Sequence, residues 1–156
     1  MEAIDWAVTE RGAGDPLLLL HGFTGAAASW AEHIDALAEQ FRVIAPDLPG
    51  HGRTPATGDP AAMTVEATAD ALAALLDRVG EAPAHVLGYS MGARVALRLA
   101  VEHPEAVSRL VLESPAAGIA DPLERAARRT AVETLADRIE REGLEAFVTA
   151  WERNPV

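Results

Sequence analysis

The pentapeptide Gly88-Tyr89-Ser90-Met91-Gly92 constrains the fold of this chain more than any other feature of its sequence. It directly follows the apolar run His85-Val86-Leu87 and directly precedes a stretch with helical character at residues 93–102. A sharp turn between a strand and a helix needs residues without a Cβ atom, and the two glycines of the pentapeptide satisfy that need. In this arrangement the serine hydroxyl projects at the C-terminal end of the strand. The sequence therefore predicts a nucleophile elbow, with Ser90 as the catalytic nucleophile.

Strand patterns and helical patterns alternate along the first part of the chain. The stretches that predict strands are residues 4–9, 17–20, 42–45, 86–89 and 107–112. The helix predicted at residues 65–79 is the clearest, because its apolar residues recur at spacings of four and three and Gly80 can end it. Ser29 can cap an earlier helix, with Glu32 completing a capping box. Such alternation indicates an α/β fold, a mostly parallel sheet with flanking helices.

The pattern changes after Glu113, where no further strand is predicted. Asp121-Pro122 is a good helix start, since an aspartate can cap the helix and proline is favoured at its first position. Two helical stretches follow, divided by Gly143. We therefore expect residues 1–115 to form the N-terminal part of an α/β core and residues 116–156 to form a partial helical cap.

Composition excludes several classes of partner. The net charge of −11 argues against binding to nucleic acid or to an anionic membrane surface. The chain has no cysteine, so it can form neither a disulfide nor a thiolate metal site, which fits a reducing cytoplasm. Its first residues are not basic, and no apolar run approaches the ~20 residues that a membrane span needs. We expect a cytoplasmic protein without nucleic-acid or membrane partners.

A nucleophilic serine also needs N–H donors that stabilise the developing oxyanion. The backbone N–H of Met91 follows the nucleophile at the start of a helix, which favours negative charge. The second donor normally comes from the loop after an earlier strand, and residues 21–25 occupy that position. We predict the N–H of Phe23 as this donor. The alternative is that the glycines of this loop only form a tight turn.

The general base cannot be assigned from the sequence. We expect His21 to brace the loop of the oxyanion hole, and His51 to brace a neighbouring loop, with a catalytic role for His51 as the alternative. The other histidines are expected to be exposed or structural: His33, His85 and His103. Scattered histidines without close carboxylate partners predict no metal site.

Arginines suggest how an anionic substrate is bound. Arg94 lies four residues after Ser90, so the two residues share one face of a helix. Its guanidinium group is suited to bidentate binding of a substrate carboxylate, and the alternative is an ion pair within the protein. For any two of the three arginines Arg125, Arg128 and Arg129, the sequence pattern alone favours an ordinary solvated face.

These motifs together resemble the α/β-hydrolase-fold superfamily and, within it, the MenH-type 2-succinyl-6-hydroxy-2,4-cyclohexadiene-1-carboxylate synthases of menaquinone biosynthesis. The matching stretches are residues 20–25, 29–30, 46–52, 88–94, 112–114, 124–129 and 151–156. The first and third of these are generic to the superfamily. The Tyr-Ser-Met-Gly-x-Arg elbow and the Glu-Arg-Ala-Ala-Arg helix are much more specific to the synthases.

The resemblance implies a lyase that eliminates pyruvate from a polycarboxylate precursor, without a metal or an organic cofactor. In this family the serine, once activated by a histidine, abstracts a proton from the substrate. By their match to the family motifs, Arg94 and Arg128 would bind substrate carboxylates, and Tyr89 and Trp151 would line the pocket.

The sequence departs from the family pattern in two places. Ala93 stands where the family usually has a third glycine, and the sequence ends at Val156, before the family's catalytic aspartate and histidine. We therefore expect a chain that is inactive or nearly so alone, with the last predicted strand open at the sheet edge for self-association. The alternative functions are a serine esterase of small substrates and a non-catalytic fragment.

Overall fold

The computed structural model describes residues 4–153, so the last three residues of the family-like stretch 151–156 lie outside the described residues. The chain forms two compact units, one that extends to Ala117 and one that begins at Gly118. All of the strands described below belong to the first unit. The assignment of the two units as a hydrolase core and a cap stays a prediction.

The first unit is built on a five-stranded, mostly parallel sheet. Its strands are β1 (Val8–Arg11), β2 (Asp15–Leu20), β3 (Phe41–Pro46), β4 (Ala84–Tyr89) and β5 (Val107–Glu113). They lie in the order β1-β3-β2-β4-β5, and only β1 is antiparallel to its neighbour. This arrangement confirms the α/β fold that the sequence predicts.

The first predicted strand, residues 4–9, was placed too early. Val8 pairs with Pro46, the last residue of β3, so β3 offers no partner to the residues before Val8. Ala7 instead contacts the loop after β3, because its N–H donates to the Thr54 hydroxyl at 3.0 Å and its carbonyl accepts the N–H of Asp47 at 2.9 Å.

The described residues form five α-helices: α1 (Ala31–Leu37), α2 (Val65–Val79), α3 (Met91–Glu102), α4 (Pro122–Glu142) and α5 (Leu144–Trp151). The bounds of α2 are those predicted, with the Thr64 side chain as N-cap and Gly80 in the left-handed conformation at its end. Asp121 caps α4 as predicted, accepting two backbone N–H groups. Within residues 4–153, no helix is both long and apolar enough to cross a membrane.

The prediction that Ser29 caps the next helix was wrong. Ser29 lies inside a short 3-10 turn, Ala27–Trp30, and α1 begins only at Ala31. Its hydroxyl accepts the N–H of Ala26 at 3.1 Å, so it closes the turn that leads into the helix. The chain therefore enters α1 through this extra turn. The residue spacing from which the capping box was predicted does not reveal such a turn.

Two apolar clusters cover the two faces of the sheet. On one face Leu18 and Leu20 pack with residues of α2 and α3, and on the other Leu17 and Leu19 pack with Ile34 of α1. The four leucines of β2 are between 0% and 7% exposed, which explains why residues 17–20 are all apolar. Each contributes roughly 2 kcal/mol through burial.

An apolar side chain is exposed at one edge of the described sheet. Strand β5 pairs with β4 and forms one edge of the sheet, and its Val111 is 55% exposed. The self-association predicted for this edge stays a prediction.

The packing of α3 against the end of β2 leads to a test of the fold. A Cβ atom at Gly92 would lie 2.6 Å from the carbonyl oxygen of His21 and closer still to that of Leu20. Because both obstacles are backbone atoms, we expect Gly92→Ala to lower the free energy of unfolding by about 3 kcal/mol, the upper range for overpacking. Urea denaturation followed by circular dichroism measures this change.

Gly58→Ala is the matched control, since a Cβ atom at Gly58 would meet no atom within 4 Å. We expect its urea midpoint to stay close to that of the unmodified chain. Equal midpoints for the two variants would contradict the close approach of α3 to β2.

Candidate active site

Ser90 lies in a sharp turn between β4 and α3. Its φ of 51° is in the left-handed region that an L-residue adopts only at a cost of roughly 1–3 kcal/mol. A Cβ atom at Gly88 would lie 2.7 Å from the Cα atom of Ala93, so the turn has no room for a side chain there. Ala93 itself is fully buried. The strand–turn–helix geometry of a nucleophile elbow is therefore present.

Hydrogen bonds from the neighbouring elements hold the elbow in place. The N–H of Ser90 donates to the carbonyl of Glu113, at the end of β5, at 2.9 Å, and the Ser90 carbonyl accepts the N–H of Arg94 at 3.3 Å. Met91 is the first residue of α3, where backbone N–H groups have no helical partner. Its N–H therefore has no acceptor within the helix, and its role as an oxyanion donor stays a prediction.

The loop after β2 comes close to the elbow. A Cβ atom at Gly22 would lie 3.5 Å from the Ser90 Cβ and 2.9 Å from the Tyr89 ring. The N–H of Gly25 donates to the Gly22 carbonyl at 3.0 Å and closes a tight turn around Phe23. The structure therefore brings the predicted oxyanion loop beside Ser90.

His21 holds this loop through both of its ring nitrogens. The ring is 1% exposed, its Nδ1 lies 2.8 Å from the Gly22 carbonyl oxygen, and its Nε2 accepts the N–H of Leu48 at 2.9 Å. This pattern requires a neutral ring with the proton on Nδ1. Burial is the main cause that lowers the pKa of His21, and it outweighs the hydrogen bond to Gly22. His21 therefore braces the loop, as predicted.

Asp47 joins three segments around the site, a role that the sequence analysis missed. Its buried carboxylate accepts the N–H of Ala27 at 2.7 Å, the N–H of Arg53 at 3.0 Å and the Arg53 Nε–H at 3.1 Å. Burial acts to raise the pKa of Asp47, but these hydrogen bonds and the guanidinium charge together lower it. A lone carboxylate directly after a buried strand was the signal available in the sequence.

No histidine within residues 4–153 forms a hydrogen bond with Ser90. The His51 Nδ1 lies 3.0 Å from the Pro49 carbonyl oxygen, and the His51 ring centroid is 5.2 Å from that of His21. A serine–histidine hydrogen bond does occur between Ser108 and His85, but at the starts of β5 and β4, far along the strands from the elbow. The described residues also include no group of three or more metal-binding side chains.

A cavity of about 340 Å³ adjoins the elbow and the oxyanion loop. Its walls include Gly22, Phe23, Trp30, His33, Tyr89 and Glu113. The structure therefore brings Phe23 and Tyr89 to one cavity. Trp30, His33 and Glu113 were not predicted to lie there, because their proximity depends on how the strands and α1 are arranged.

The predicted substrate-binding arginines lie in different units. Arg94 is exposed on α3, and no carboxylate of the described residues is within ion-pair distance of it, which argues against an ion pair within the protein. Arg128 lies on α4 and Trp151 on α5, both in the second unit, where the Trp151 ring centroid is 5.4 Å from that of Phe147.

The fold and the elbow define the class of this protein. The sequence profile of the family described as alpha/beta hydrolase fold matches residues 15–145, so the chain belongs to the α/β hydrolase fold family. Over 99% of its length it is 38% identical to a Bacillus subtilis (strain 168) protein provisionally named 2-succinyl-6-hydroxy-2,4-cyclohexadiene-1-carboxylate synthase. It covers 57% of that protein.

Other relatives are named for different functions. Over 73% of its length the chain is 37% identical to the 2-hydroxymuconate semialdehyde hydrolase of Pseudomonas sp. (strain CF600), and it covers 41% of that protein. The chain thus spans about half the length of these curated relatives.

Solved structures show the same fold. A marine microorganism esterase superimposes with a TM-score of 0.72 at 26% identity over 85% of this chain and 51% of that one. The N-acyl homoserine lactonase AidH superimposes with a TM-score of 0.69 at 31% identity over 74% of this chain and 43% of that one.

The bonding of His21 leads to a pH dependence of stability. Because its pKa is lowered in the folded state, the unfolded chain binds more protons below its ordinary value of 6.5. The stability contributed by neutral His21 is thus complete above that pH and is lost as the pH falls through the lower, folded-state pKa. We expect urea midpoints to decrease between about pH 7.5 and about pH 5.5.

Two variants separate His21 from the other histidines in this experiment. His21→Gln should be less stable at the higher pH and should lose stability more slowly on acidification. The exposed His33 serves as the control, and His33→Gln should keep the pH dependence of the unmodified chain. An unchanged pH dependence in His21→Gln would rule out His21 as its source.

Proposed function

We propose that this chain carries the nucleophile, the oxyanion hole and the carboxylate-binding arginines of a carbon–oxygen lyase of the α/β hydrolase fold. The reaction is the elimination of pyruvate from 2-succinyl-5-enolpyruvyl-6-hydroxy-3-cyclohexene-1-carboxylate. Its product is 2-succinyl-6-hydroxy-2,4-cyclohexadiene-1-carboxylate, an intermediate of menaquinone biosynthesis. The observation that carries the proposal is an arginine without an ion-pair partner, Arg94, one helical turn from a serine in a strained elbow. The name of the Bacillus relative supports it.

In the proposed reaction Ser90 takes a proton from a ring carbon of the substrate. The electron pair of that C–H bond forms a new ring double bond, the existing ring double bond shifts by one position, and the C–O bond to the enolpyruvyl group breaks. The leaving group departs as the enolate of pyruvate and becomes pyruvate when it takes up a proton. The N–H groups of Phe23 and Met91 stabilise the negative charge that develops on the substrate. A serine hydroxyl is a weak base, so Ser90 must itself be deprotonated by a histidine.

The charge of the protein makes local cations important for substrate binding. The net charge of −11 repels an anionic polycarboxylate at long range. Arg94 can offset this repulsion with two parallel N–H donors to one carboxylate. Tyr89 would line the pocket, and the proposed roles of Arg128 in carboxylate binding and of Trp151 in the pocket rest on their match to the family motifs. No metal or organic cofactor has a part in this reaction, and the cytoplasmic location stays a prediction.

A serine esterase of small substrates is the second candidate. The esterase and lactonase structures that share this fold favour it. The two functions differ in their need for Arg94, since a neutral ester has no carboxylate to bind. A non-catalytic role is the third candidate, supported by the lack of a histidine hydrogen-bonded to Ser90 within residues 4–153. The strain at Ser90 argues against it, because such strain is characteristic of functional sites.

Substrate binding tests the role of Arg94. We expect Arg94→Gln to weaken binding of the lyase substrate about tenfold, as expected for loss of a charged hydrogen bond. Isothermal titration calorimetry measures the dissociation constant. Arg78→Gln is the matched control, because Arg78 is also an exposed helical arginine without an ion pair among the described residues, and it should bind as the unmodified chain does. Equal affinities for all three proteins would refute the role of Arg94.

Turnover distinguishes the lyase from the esterase. Pyruvate release by the purified chain should be slow, because no histidine of the described residues contacts Ser90, and it should disappear in Ser90→Ala. Coupling to lactate dehydrogenase measures the pyruvate. Hydrolysis of p-nitrophenyl acetate that exceeds pyruvate release and is unaffected by Arg94→Gln would instead identify an esterase.

A further inference from the structure

The edge strand β5 carries a sequence that is complementary to itself. From Ser108 to Ser114 the chain reads Ser-Arg-Leu-Val-Leu-Glu-Ser, with Val111 at the centre. At equal distances from Val111 the residues match in pairs: leucine with leucine, arginine with glutamate, and serine with serine. A second copy that runs antiparallel through the same centre therefore offers every residue of this segment a similar or an oppositely charged partner. The proposed reaction makes no use of this symmetry.

The backbone of β5 has hydrogen-bonding groups that point away from β4. The Glu113 carbonyl accepts the N–H of Ser90 at 2.9 Å, so the backbone groups of Glu113 point toward the neighbouring strand. Because the groups of successive residues in a strand point to alternate sides, those of Leu110 and Leu112 point outward. Within residues 4–153, β5 pairs with β4 alone and forms an edge of the sheet. Outward groups on an edge strand are a template for pairing with another chain.

The side chains of β5 are arranged so that its charges are available to a second chain. Arg109, Val111 and Glu113 are exposed and share one face of the sheet, since alternate residues of a strand project on the same face. Leu110 and Leu112 project on the other face, where they pack against the core formed with α2 and α3. Neither Arg109 nor Glu113 forms an ion pair with another described residue. An oppositely charged partner for each is present on a second copy.

We propose that two copies of this chain form a dimer by antiparallel pairing of their β5 strands about a two-fold axis at Val111. In this register Leu110 of each copy exchanges its outward backbone hydrogen bonds with Leu112 of the other copy. The two Val111 side chains meet at the axis. Arg109 of each copy lies opposite Glu113 of the other, at the pairs whose side chains come closest. A shift of register would separate these charges and would thus be disfavoured.

The two-fold symmetry has consequences for assembly and for the candidate active site. Both copies use the same edge, so the pairing closes and this edge adds no further chain. The two five-stranded sheets become one continuous sheet. Glu113 also lines the cavity beside the elbow, so Arg109 of the second copy lies at a wall of each cavity. The dimer is independent of the reaction that Ser90 carries out.

Charge reversal tests the proposed pairs. Sedimentation velocity of the unmodified 156-residue chain should show a dimer that dissociates to monomer on dilution. Arg109→Glu places carboxylates opposite each other at both charged pairs, and Glu113→Arg does the same with guanidinium groups. Because like charges directly opposite destabilise paired strands, each variant should raise the dimer dissociation constant by about tenfold or more. Arg11→Glu is the matched control, since Arg11 is an exposed arginine of the other edge strand, β1, and it should leave the dissociation constant unchanged.

A mixture of the two variants separates strand pairing from an effect on folding. In a heterodimer of one Arg109→Glu chain and one Glu113→Arg chain, both cross-strand pairs again join opposite charges. The mixture should therefore regain a dissociation constant close to that of the unmodified chain. Two misfolded variants would not rescue each other in this way.

A single introduced cysteine tests the register without altering either charge. The chain has no cysteine of its own. Val111→Cys places two thiols at the axis, within the Cα separation that a disulfide needs. With oxidised glutathione it should form a disulfide-linked dimer at least about tenfold faster than Ser108→Cys, whose thiols lie far apart at the two ends of the paired segment. Non-reducing gel electrophoresis measures the rates.

Three outcomes would overturn the proposal. The first is an unmodified chain that stays monomeric at every concentration measured. The second is a mixture of Arg109→Glu and Glu113→Arg that associates as weakly as each variant alone. The third is equal rates of disulfide formation in Val111→Cys and Ser108→Cys, which would indicate non-specific contact between exposed edges. None of these measurements involves pyruvate or an ester, so the dimer and the proposed function are tested separately.

Discussion

The close packing of the α3 N-terminus against the end of β2 is the constraint on which the rest of the structure depends. Gly92 is placed so near the Leu20 and His21 carbonyls that no side chain fits between them. The chain reverses from β4 into α3 within one residue beside this contact, and that residue, Ser90, lies in the left-handed region. Helix α3 and the loop after β2 are therefore held beside Ser90 by close packing of their backbones, which tolerates little adjustment.

Polar contacts then hold the loops that this packing brings together. Asp47 ties the segment after β2 to the segment after β3 through the N–H groups of Ala27 and Arg53. The neutral ring of His21 adds a second link between the same two segments through Leu48. Both groups are buried, so leaving either without its partners would cost more than each hydrogen bond contributes when formed. The position of the Phe23 N–H thus depends on residues that do not themselves contact Ser90.

The sequence predicted the parts of the fold that depend on local rules. Glycine spacing identified the elbow, and apolar periodicity with Thr64 and Gly80 at its ends matches the bounds of α2. The 3-10 turn before α1 was missed because it depends on a hydrogen bond from Ala27 to Asp47, twenty positions away. The place of Glu113 beside the elbow likewise follows from strand order and register, which no short motif encodes.

The second unit presents its arginines on a helix that buries none of its side chains. Helix α4 has 21 residues, and the Asp121 side chain caps its N-terminus. A helix with few buried side chains opens locally at little cost in free energy. The free energy needed to order α4 would then be part of the free energy with which Arg128 binds a carboxylate. Affinity for an anionic ligand of Arg128 would thus depend on the helix propensity of residues that never touch the ligand.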